Sequence, residues 1–471
     1  MAAALSDVGW FSCSHVQDKI VFQSKKLGAF GVGNLAIPGK ARRNNMSTLL
    51  RSSQSDSDLT VVIEEETKSL AETWKEIHGE NDWEAMLDPI KPLMKSELIR
   101  YGDMAQACYD AFDQDPCSKY CGGCQLTPDM FFEGLGLSKY GYDVTTYLYS
   151  AYNINLPIFY SKSLWPNSWS NSANWSGYVA VSNDETSALL GRRDITIAWR
   201  GTVVKREWLA DMMDFLRPVT HRQIDSRDPS IRVEAGFLQL YTDKDERCKF
   251  SKDSARDQVL AELSRLIQKY ENEEMSITIT GHSLGSALAI LNAYDIAETG
   301  VDLTKHGRDI PVCVFSFSGP RVGNGRFKER LEGLGVKVLR VVNIHDKVPY
   351  MPGVFFNEHV SPIVQKVGEM SPWCYSHVGE ELALDHENST FLKKTNDLGC
   401  CHNLEALLHL IDGYHGKGKR FWLSTGRDIA LVNKSADFLK DDYSVPPNWW
   451  GSRNTGPNGK NLDHVYAAGE S

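Results

Sequence analysis

The stretch SITITGHSLGSALAI, residues 276–290, changes from a strand pattern to a helix pattern around one serine. Residues 276–280 alternate in the two-residue period of a strand, and residues 286–291 carry the small and apolar side chains of a buried helix. The pentapeptide GHSLG, residues 281–285, therefore falls at a sharp turn between the two elements. Such a turn is the context in which a hydrolase presents a nucleophilic serine, here Ser283.

The spacing of Gly281 and Gly285 around Ser283 supports this interpretation. A side chain two residues before or after the serine would collide with the neighbouring strand or helix, so glycine is needed at both places. A serine hydroxyl also needs a histidine to remove its proton and an acid to orient that histidine. In this kind of fold the acid and then the histidine follow the serine along the chain, so both are sought downstream.

The downstream candidates lie in two segments. Asp346 in VVNIHDKVPYMP (341–352) follows a predicted strand, where catalytic loops are found, although a solvated turn aspartate is the alternative. His402 opens the helical segment CCHNLEALLHLIDGYHG (400–416), and its position at the start of a helix favours it as the base. His409, on the same segment, stays open as an alternative base.

The oxyanion of an acyl-transfer reaction needs two N–H donors, one from the residue after the nucleophile and one from an earlier loop. The first is the backbone of Leu284. The second is predicted in IAWRGTVVKREWLADMMDF (197–215), where a glycine after a strand lets the N–H of Thr202 turn inward. The following residues, Val203–Phe215, mix large apolar and charged side chains, which predicts either an amphipathic lid or a plain surface helix.

The order of elements predicts an α/β fold with a mostly parallel central sheet flanked by helices. Residues 61 to about 134 have apolar residues at helical intervals and predict an N-terminal helical extension. Short, nearly continuous apolar segments, typical of strands covered on both faces, then alternate with helical ones. These strand segments are 194–201, 276–281, 312–319 and 336–346.

Charge is distributed unevenly along the 471 residues. Residues 1–55 carry seven Lys or Arg against two Asp, a net of +5, and the whole chain has a net charge of −10, which leaves −15 for the rest. An acidic body argues against nucleic acid as a partner and against membrane capture by net charge. The sequence contains no run of about 18 apolar residues, the length expected of a membrane-spanning helix. It carries no signal for oligomeric state.

The basic, Ser-, Ala- and Gly-rich start of the chain indicates a removable leader. Residues 1–58 are interpreted as a plastid or mitochondrial transit peptide, with an ordinary disordered terminus as the alternative. Residues 59–471 are then predicted to form a single domain, with a catalytic core at about 190–420, because no internal repeat or long linker interrupts them.

Cysteines are too sparse, ten in the whole chain, for a disulfide scaffold. Cys117, Cys121 and Cys124 have a spacing that suits a metal only if Cys400 or Cys401 supplies a fourth ligand. Reduced thiols or a redox-sensitive pair near the surface are the favoured interpretation, so no metal is predicted.

Together, these segments resemble the class 3 lipase family of the α/β-hydrolase fold. The motifs that carry the resemblance occur in the family's order: WRGT (199–202), VEAGFLQLY (233–241), GHSLGSALA (281–289), FSGPRVGN (317–324) and NIHDKVPYMP (343–352). The resemblance implies Ser283 as nucleophile, Asp346 as acid and His402 as base. It likewise implies Thr202 and Leu284 as oxyanion donors and Val203–Asp211 as lid.

A narrower resemblance, from residue 70 to about residue 450, is to the plant class I phospholipases A1, particularly a plastid subgroup that carries HLIDGYHGKGKRF (409–421). It implies a chloroplast enzyme that cleaves the sn-1 ester of glycerophospholipids through an acyl-enzyme, without cofactor or metal. The implied partner is a glycerolipid at a membrane or lipid-droplet surface, contacted peripherally through the lid. Alternatives are a galactolipase, a neutral-lipid lipase, or a lipase-like signalling protein without catalysis.

Overall fold

The computed structural model describes residues 68–151, 164, 172–202, 216–222, 224, 228–353 and 374–450. Strands form the centre of this part of the chain. In chain order the strands are β1 Tyr142–Ala151, β2 Ala173–Ser182, β3 Arg193–Trp199, β4 Leu216–Pro218, β5 Arg232–Glu234, β6 Met275–His282, β7 Val312–Phe317, β8 Lys337–Asn343 and β9 Glu380–Leu384.

One mixed sheet contains seven of these strands in the order β1-β2-β3-β6-β7-β8-β9. The five strands β3, β6, β7, β8 and β9 are parallel to one another, whereas β2 is antiparallel to both β1 and β3. Strands β4 and β5 pair separately. The four segments predicted as strands are β3, β6, β7 and β8, which lie side by side, so the predicted mostly parallel sheet is confirmed.

Helices cover both faces of the sheet. The α-helices are α1 Leu70–Ile77, α2 Pro92–Asp110, α3 Phe131–Gly134, α4 Asp184–Leu190, α5 Ala235–Thr242, α6 Ala255–Lys269, α7 Leu284–Thr299, α8 Gly325–Gly333, α9 Leu398–Cys401 and α10 Leu404–Gly413. Short 3₁₀ segments are Pro128–Met130, Ser138–Tyr140, Val219–Arg222, Val348–Tyr350, His386–Asn388, Ile429–Asn433 and Asp441–Tyr443. Within the described residues, no helix combines the length and apolar character needed to cross a bilayer.

The pleat of the strands divides the core into two apolar layers. In β3, Ile195, Ile197 and Trp199 pack with helices α5 to α8 on one face. Residues of the opposite face, such as Ala198 in β3 and Phe315 in β7, pack with α1, α2 and α10. Burial on both sides explains why these strands are nearly continuous in apolar character.

Helix α6 is defined by local features of its sequence. Its N-cap is Ser254, whose hydroxyl accepts a hydrogen bond from the backbone N–H of Asp257 at 3.1 Å. Val259, Leu263 and Leu266 are spaced to share one face of the helix and are all buried. Local periodicity and a cap are therefore sufficient to define this element.

Helix α2 belongs to the predicted N-terminal extension and begins at Pro92, in the first turn where proline is tolerated. It packs against α10 and against the sheet. Although polar in composition, α2 is mostly buried, and its charged groups are paired: Arg427 bridges Asp103 of α2 and Glu405 of α10. The extension covers the sheet face that carries Ala198 and Phe315.

Candidate active site

Ser283 lies at the turn between β6, which ends at His282, and α7, which begins at Leu284. Its backbone has φ +59° and ψ −126°, a conformation that non-glycine residues adopt only under strain. The Ser283 N–H donates to the Phe317 carbonyl at 3.0 Å, and its own carbonyl accepts from the Ser286 N–H at 3.0 Å. The turn is thus tied to the neighbouring strand β7 and to the first turn of α7.

The two glycines of the motif permit the close packing of this turn. A Cβ atom at Gly281 would lie 2.3 Å from the backbone carbon of Gly285, and one at Gly285 would lie 2.2 Å from the Trp199 carbonyl oxygen. Backbone atoms cannot move aside as a flexible side chain can. Glycine is therefore required at both positions, as the sequence predicts.

Asp346 and His402 meet at the carboxyl edge of the sheet. Asp346 follows β8 and His402 lies between α9 and α10. The Nδ1 of His402 is 2.6 Å from Oδ2 of Asp346, and the carboxylate is fully buried. Oδ1 of the same carboxylate accepts from the Val348 N–H at 2.9 Å. With the imidazole proton on Nδ1, the lone pair of a neutral His402 is on Nε2.

Ser283 and His402 both line a cavity of about 270 Å³. The Ser283 Oγ and the His402 Nε2 are buried and have no hydrogen-bond partner among the described residues. Buried polar atoms are normally paired, so two such atoms on one cavity need an explanation. A nucleophile and a base whose hydrogen bonds tighten only with substrate present are such an explanation.

His409, the alternative base, lies elsewhere. Its Nε2 is 2.9 Å from the Ser389 hydroxyl, and burial lowers its pKa to about 4. It is not among the residues that line the cavity. The structure brings Asp346 together with His402 and leaves His409 in the core.

Thr202 also lines the cavity, three residues beyond the end of β3. The preceding loop is held by Arg200, whose guanidinium donates to the carbonyls of Trp175 at 2.9 Å and Gly201 at 3.0 Å. A Cβ at Gly201 would lie 2.5 Å from the His282 carbonyl oxygen, so this loop packs directly on the turn of Ser283. Leu284 is the first residue of α7, and backbone N–H groups in the first turn of a helix have no acceptor within the helix.

The predicted lid, Val203–Phe215, lies outside the described residues.

One wall of the cavity was missed by the sequence analysis. We call the five residues Gln106, Asp110, Gln114, Lys434 and Ser435 the polar wall. Within it, the Lys434 ammonium is 2.6 Å from the Asp110 carboxylate. Gln106 and Asp110 share one face of α2, but a polar helix face is also what a solvent-exposed helix presents. The polar face of α2 therefore did not distinguish a cavity lining from a solvent-exposed surface.

Tyr109 was missed as well. This residue of α2 lines the cavity, and its hydroxyl is 2.9 Å from Nδ1 of His282. The His282 ring in turn packs on the His402 ring, with 4.5 Å between ring centroids and 33° between ring planes. The helical extension thus contacts the turn that carries Ser283 through the Tyr109 hydroxyl.

The thiols considered as metal ligands are not grouped together in the described residues. Cys124 donates to the Tyr147 hydroxyl at 3.4 Å, whereas Cys400 and Cys401 donate to the backbone carbonyls of Asp437 and Thr395, each at 3.4 Å. The group of potential metal ligands found in the described residues contains no cysteine.

The chain is similar in sequence to known lipases and phospholipases. Residues 196–356 match the family described as lipase (class 3). The chain is 56% identical over 430 residues to phospholipase A1-Igamma2, chloroplastic, of Arabidopsis thaliana, covering 88% of this chain and 81% of the relative. It is 60% identical over 396 residues to phospholipase A1-Igamma1, chloroplastic, of the same plant, covering 83% and 77%. Among solved structures, the Yarrowia lipolytica LIP2 lipase is similar with a TM-score of 0.41 and 18% identity, over 63% of this chain and 82% of that one.

Proposed function

This chain belongs to the class 3 lipase family, in its plant class I phospholipase A1 group, and we propose that it hydrolyses the sn-1 acyl ester of glycerophospholipids. The observation that carries the proposal is the 2.6 Å contact between Asp346 and His402 on a cavity that Ser283 also lines. Lipases act on lipid substrates, and the arrangement contains a nucleophile, a base and an acid in the chain order of the α/β-hydrolase fold.

In the proposed reaction, the Ser283 hydroxyl attacks the sn-1 ester carbonyl while His402 Nε2 takes the hydroxyl proton. Asp346 keeps the imidazole proton on Nδ1 and stabilises the imidazolium cation that forms, without itself becoming protonated. The strained turn holds Ser283 at the cavity before substrate binds, so less ordering is needed at the moment of attack.

The tetrahedral intermediate carries a negative charge on the former carbonyl oxygen. We assign its stabilisation to the backbone N–H groups of Leu284 and Thr202, which come from the start of α7 and from the loop after β3. Packing of Gly201 against the turn supports this assignment, because it holds the two loops at a fixed separation. The positive end of the α7 dipole adds to the same effect.

Collapse of the intermediate leaves an acyl group on Ser283 and releases the lysolipid, whose oxygen takes the proton from His402. A water molecule, deprotonated by the same histidine, then releases the fatty acid and restores the free serine. His402 takes part in each proton transfer of this cycle, and Asp346 orients its ring and stabilises its cation.

The polar wall suggests how a lipid is oriented in the cavity. Its amide, hydroxyl and paired ionic groups suit the glycerol and head-group side of the substrate, so the acyl chain points away from them. We further propose that Val203–Phe215 forms a lid that contacts the membrane or lipid-droplet surface peripherally, because its sequence combines large apolar side chains with charges.

The two Arabidopsis relatives are named chloroplastic, and this chain is a chloroplast protein of the same group. We propose that residues 1–58 are the transit peptide and that residues 59–471 form a single domain. Fusion of residues 1–60 to a fluorescent reporter tests the leader. Plastid import supports the proposal, and a diffuse cytosolic signal contradicts it.

The substrate proposal is tested with phosphatidylcholine that carries distinguishable acyl chains at sn-1 and sn-2. Release of the sn-1 chain by the parent chain, and not by Ser283→Ala, is the expected result. Monogalactosyl diacylglycerol and triolein are assayed in parallel. Faster turnover of either lipid would replace the substrate assignment and keep the mechanism, whereas no release from any lipid would favour a non-catalytic signalling protein.

A further inference from the structure

A group of three potential metal ligands lies beside the acid of the site. His345, Asp385 and His386, which we call the His-Asp-His group, each offer one ligand atom within 4.8 Å of the other two. His345 follows β8, and the other two follow β9, the strand paired with it. The carboxyl ends of neighbouring parallel strands lie together, which is why two separate turns meet here.

The geometry of His386 indicates a ligand at its Nε2. This side chain is only 1% exposed, and its Nε2 has no hydrogen-bond partner among the described residues. A backbone hydrogen-bond contact from Thr395 acts on the His386 ring, but no contact at Nε2 has the geometry of a regular hydrogen bond. A buried imidazole nitrogen that is so poorly satisfied gains from a better-placed partner.

The other nitrogen of His386 is held by Asn343. Nδ1 is 3.3 Å from both Oδ1 and Nδ2 of Asn343, and Nδ2 also donates to the Cys401 carbonyl at 3.2 Å. If Nδ1–H donates to Oδ1, the lone pair is on Nε2. Histidines that bind metals typically donate the other ring N–H to an oxygen in this manner.

Asp385 and His345 complete the group. Oδ1 of Asp385 accepts from the Glu387 N–H at 2.8 Å and is 3.0 Å from Nε2 of His345, so the carboxylate is fixed next to the imidazole. The His345 and His386 rings are also close, with centroids 4.5 Å apart. Two imidazoles and one carboxylate form a ligand set that suits Zn²⁺, with the fourth position left for water.

We propose that His345, Asp385 and His386 bind one Zn²⁺ ion, which holds together the turns that carry the acid and the base of the site. His345 immediately precedes Asp346, and Asn343 is hydrogen-bonded to the carbonyl of Cys401, the residue before His402. An ion that fixes His345 and His386 therefore restricts the movement of both turns. This role goes beyond the proposed hydrolysis, and binding of the ion is measurable without any substrate.

The test is equilibrium dialysis of the full chain, with its thiols reduced, against Zn²⁺, followed by metal analysis. The ligand variants are His345→Ala and Asp385→Asn; both native side chains are partly exposed, 24% and 30%, so the fold should tolerate the changes. The matched control is His306→Ala, which removes an exposed histidine outside the group. Zinc bound by cysteines is common to all four proteins and cancels in the comparison.

The parent and His306→Ala are expected to bind one more equivalent of Zn²⁺ than the ligand variants, whose affinity at this site falls at least about tenfold. Zn²⁺ should also raise the unfolding temperature of the parent more than that of His345→Ala, because a ligand that binds only the folded state stabilises it. Equal binding by the parent and both ligand variants, or stabilisation by Ca²⁺ and not by Zn²⁺, overturns the proposal.

Discussion

The hydroxyl of Tyr109 lies 2.9 Å from Nδ1 of His282, the residue immediately before Ser283. Tyr109 is in α2, so the N-terminal helical extension reaches the turn of the nucleophile. His282 packs on the His402 ring, and a Cβ at Gly201 would lie 2.1 Å from the same tyrosine hydroxyl. One hydroxyl group thus contacts the turn of Ser283 and the loop before Thr202.

Tyr109→Phe is expected to lower kcat about tenfold with little change in KM, because loss of the part-buried hydroxyl contacts with His282 costs roughly 1–2 kcal/mol and loosens His282 against His402. Steady-state kinetics and thermal unfolding check this. The matched control is Tyr178→Phe, which removes another buried hydroxyl bonded to α2, at the Met104 carbonyl. An equal fall in kcat for both variants would assign Tyr109 a merely structural role.

Replacement of His402 and His409, one at a time, distinguishes the catalytic base from the core histidine. His402→Ala is expected to lower kcat by on the order of 10⁴ to 10⁶, as loss of a triad member does. His409→Ala should change kcat less than about tenfold and act mainly on stability, because His409 is bonded to Ser389 in the core. The reverse ranking, in variants that remain folded, would reassign the base to His409.

His409 should make stability depend on pH. Burial lowers its pKa to about 4, whereas a histidine in the unfolded chain has a pKa of about 6.5. Between these values the unfolded state binds more protons, so the free energy of unfolding rises with pH. The contribution of His409 is complete above pH ~6.5 and is lost as the pH falls toward ~4, at up to about 1.4 kcal/mol per pH unit.

Urea unfolding at several pH values between about 7 and 4.5 measures this slope. His409→Gln is expected to have a shallower pH dependence than the parent. His306→Ala, which removes an exposed histidine, should keep the slope of the parent. Identical slopes for the parent and His409→Gln would show that His409 is not held neutral in the folded protein.

Gly285→Ala should destabilise the protein by about 2 kcal/mol or more and abolish activity, because the new Cβ would lie 2.2 Å from the Trp199 carbonyl oxygen. Gly333→Ala is the control: it is also helical, and its Cβ would meet nothing within 4 Å. That change should stabilise by up to about 1 kcal/mol through helix propensity. Denaturant unfolding compares them, and similar stabilities would contradict the packing described for the turn.

The strand-to-helix turn and its glycines were predictable because they depend on periodicity and sterics within a few residues of Ser283. The sequence favoured His402 over His409 as the base but left His409 open, since one helical segment carries both and only the fold brings Asp346 next to one of them. Tyr109 gave no signal for a related reason. Tyr109 and His282 are 173 residues apart in sequence. The residues next to Tyr109 on its helix face are polar, as they also are on a solvent-exposed helix.

In the proposed mechanism, Ser283 is a nucleophile activated by His402 and Asp346. The most direct measurement is labelling of the full chain with a serine-directed fluorophosphonate, followed by mass spectrometry to identify the modified residue. The predicted result is one label, on Ser283 of the parent, that is absent from Ser283→Ala and much slower to form in His402→Ala. A folded parent chain that resists the reagent, or that takes the label on another serine, would contradict the claim.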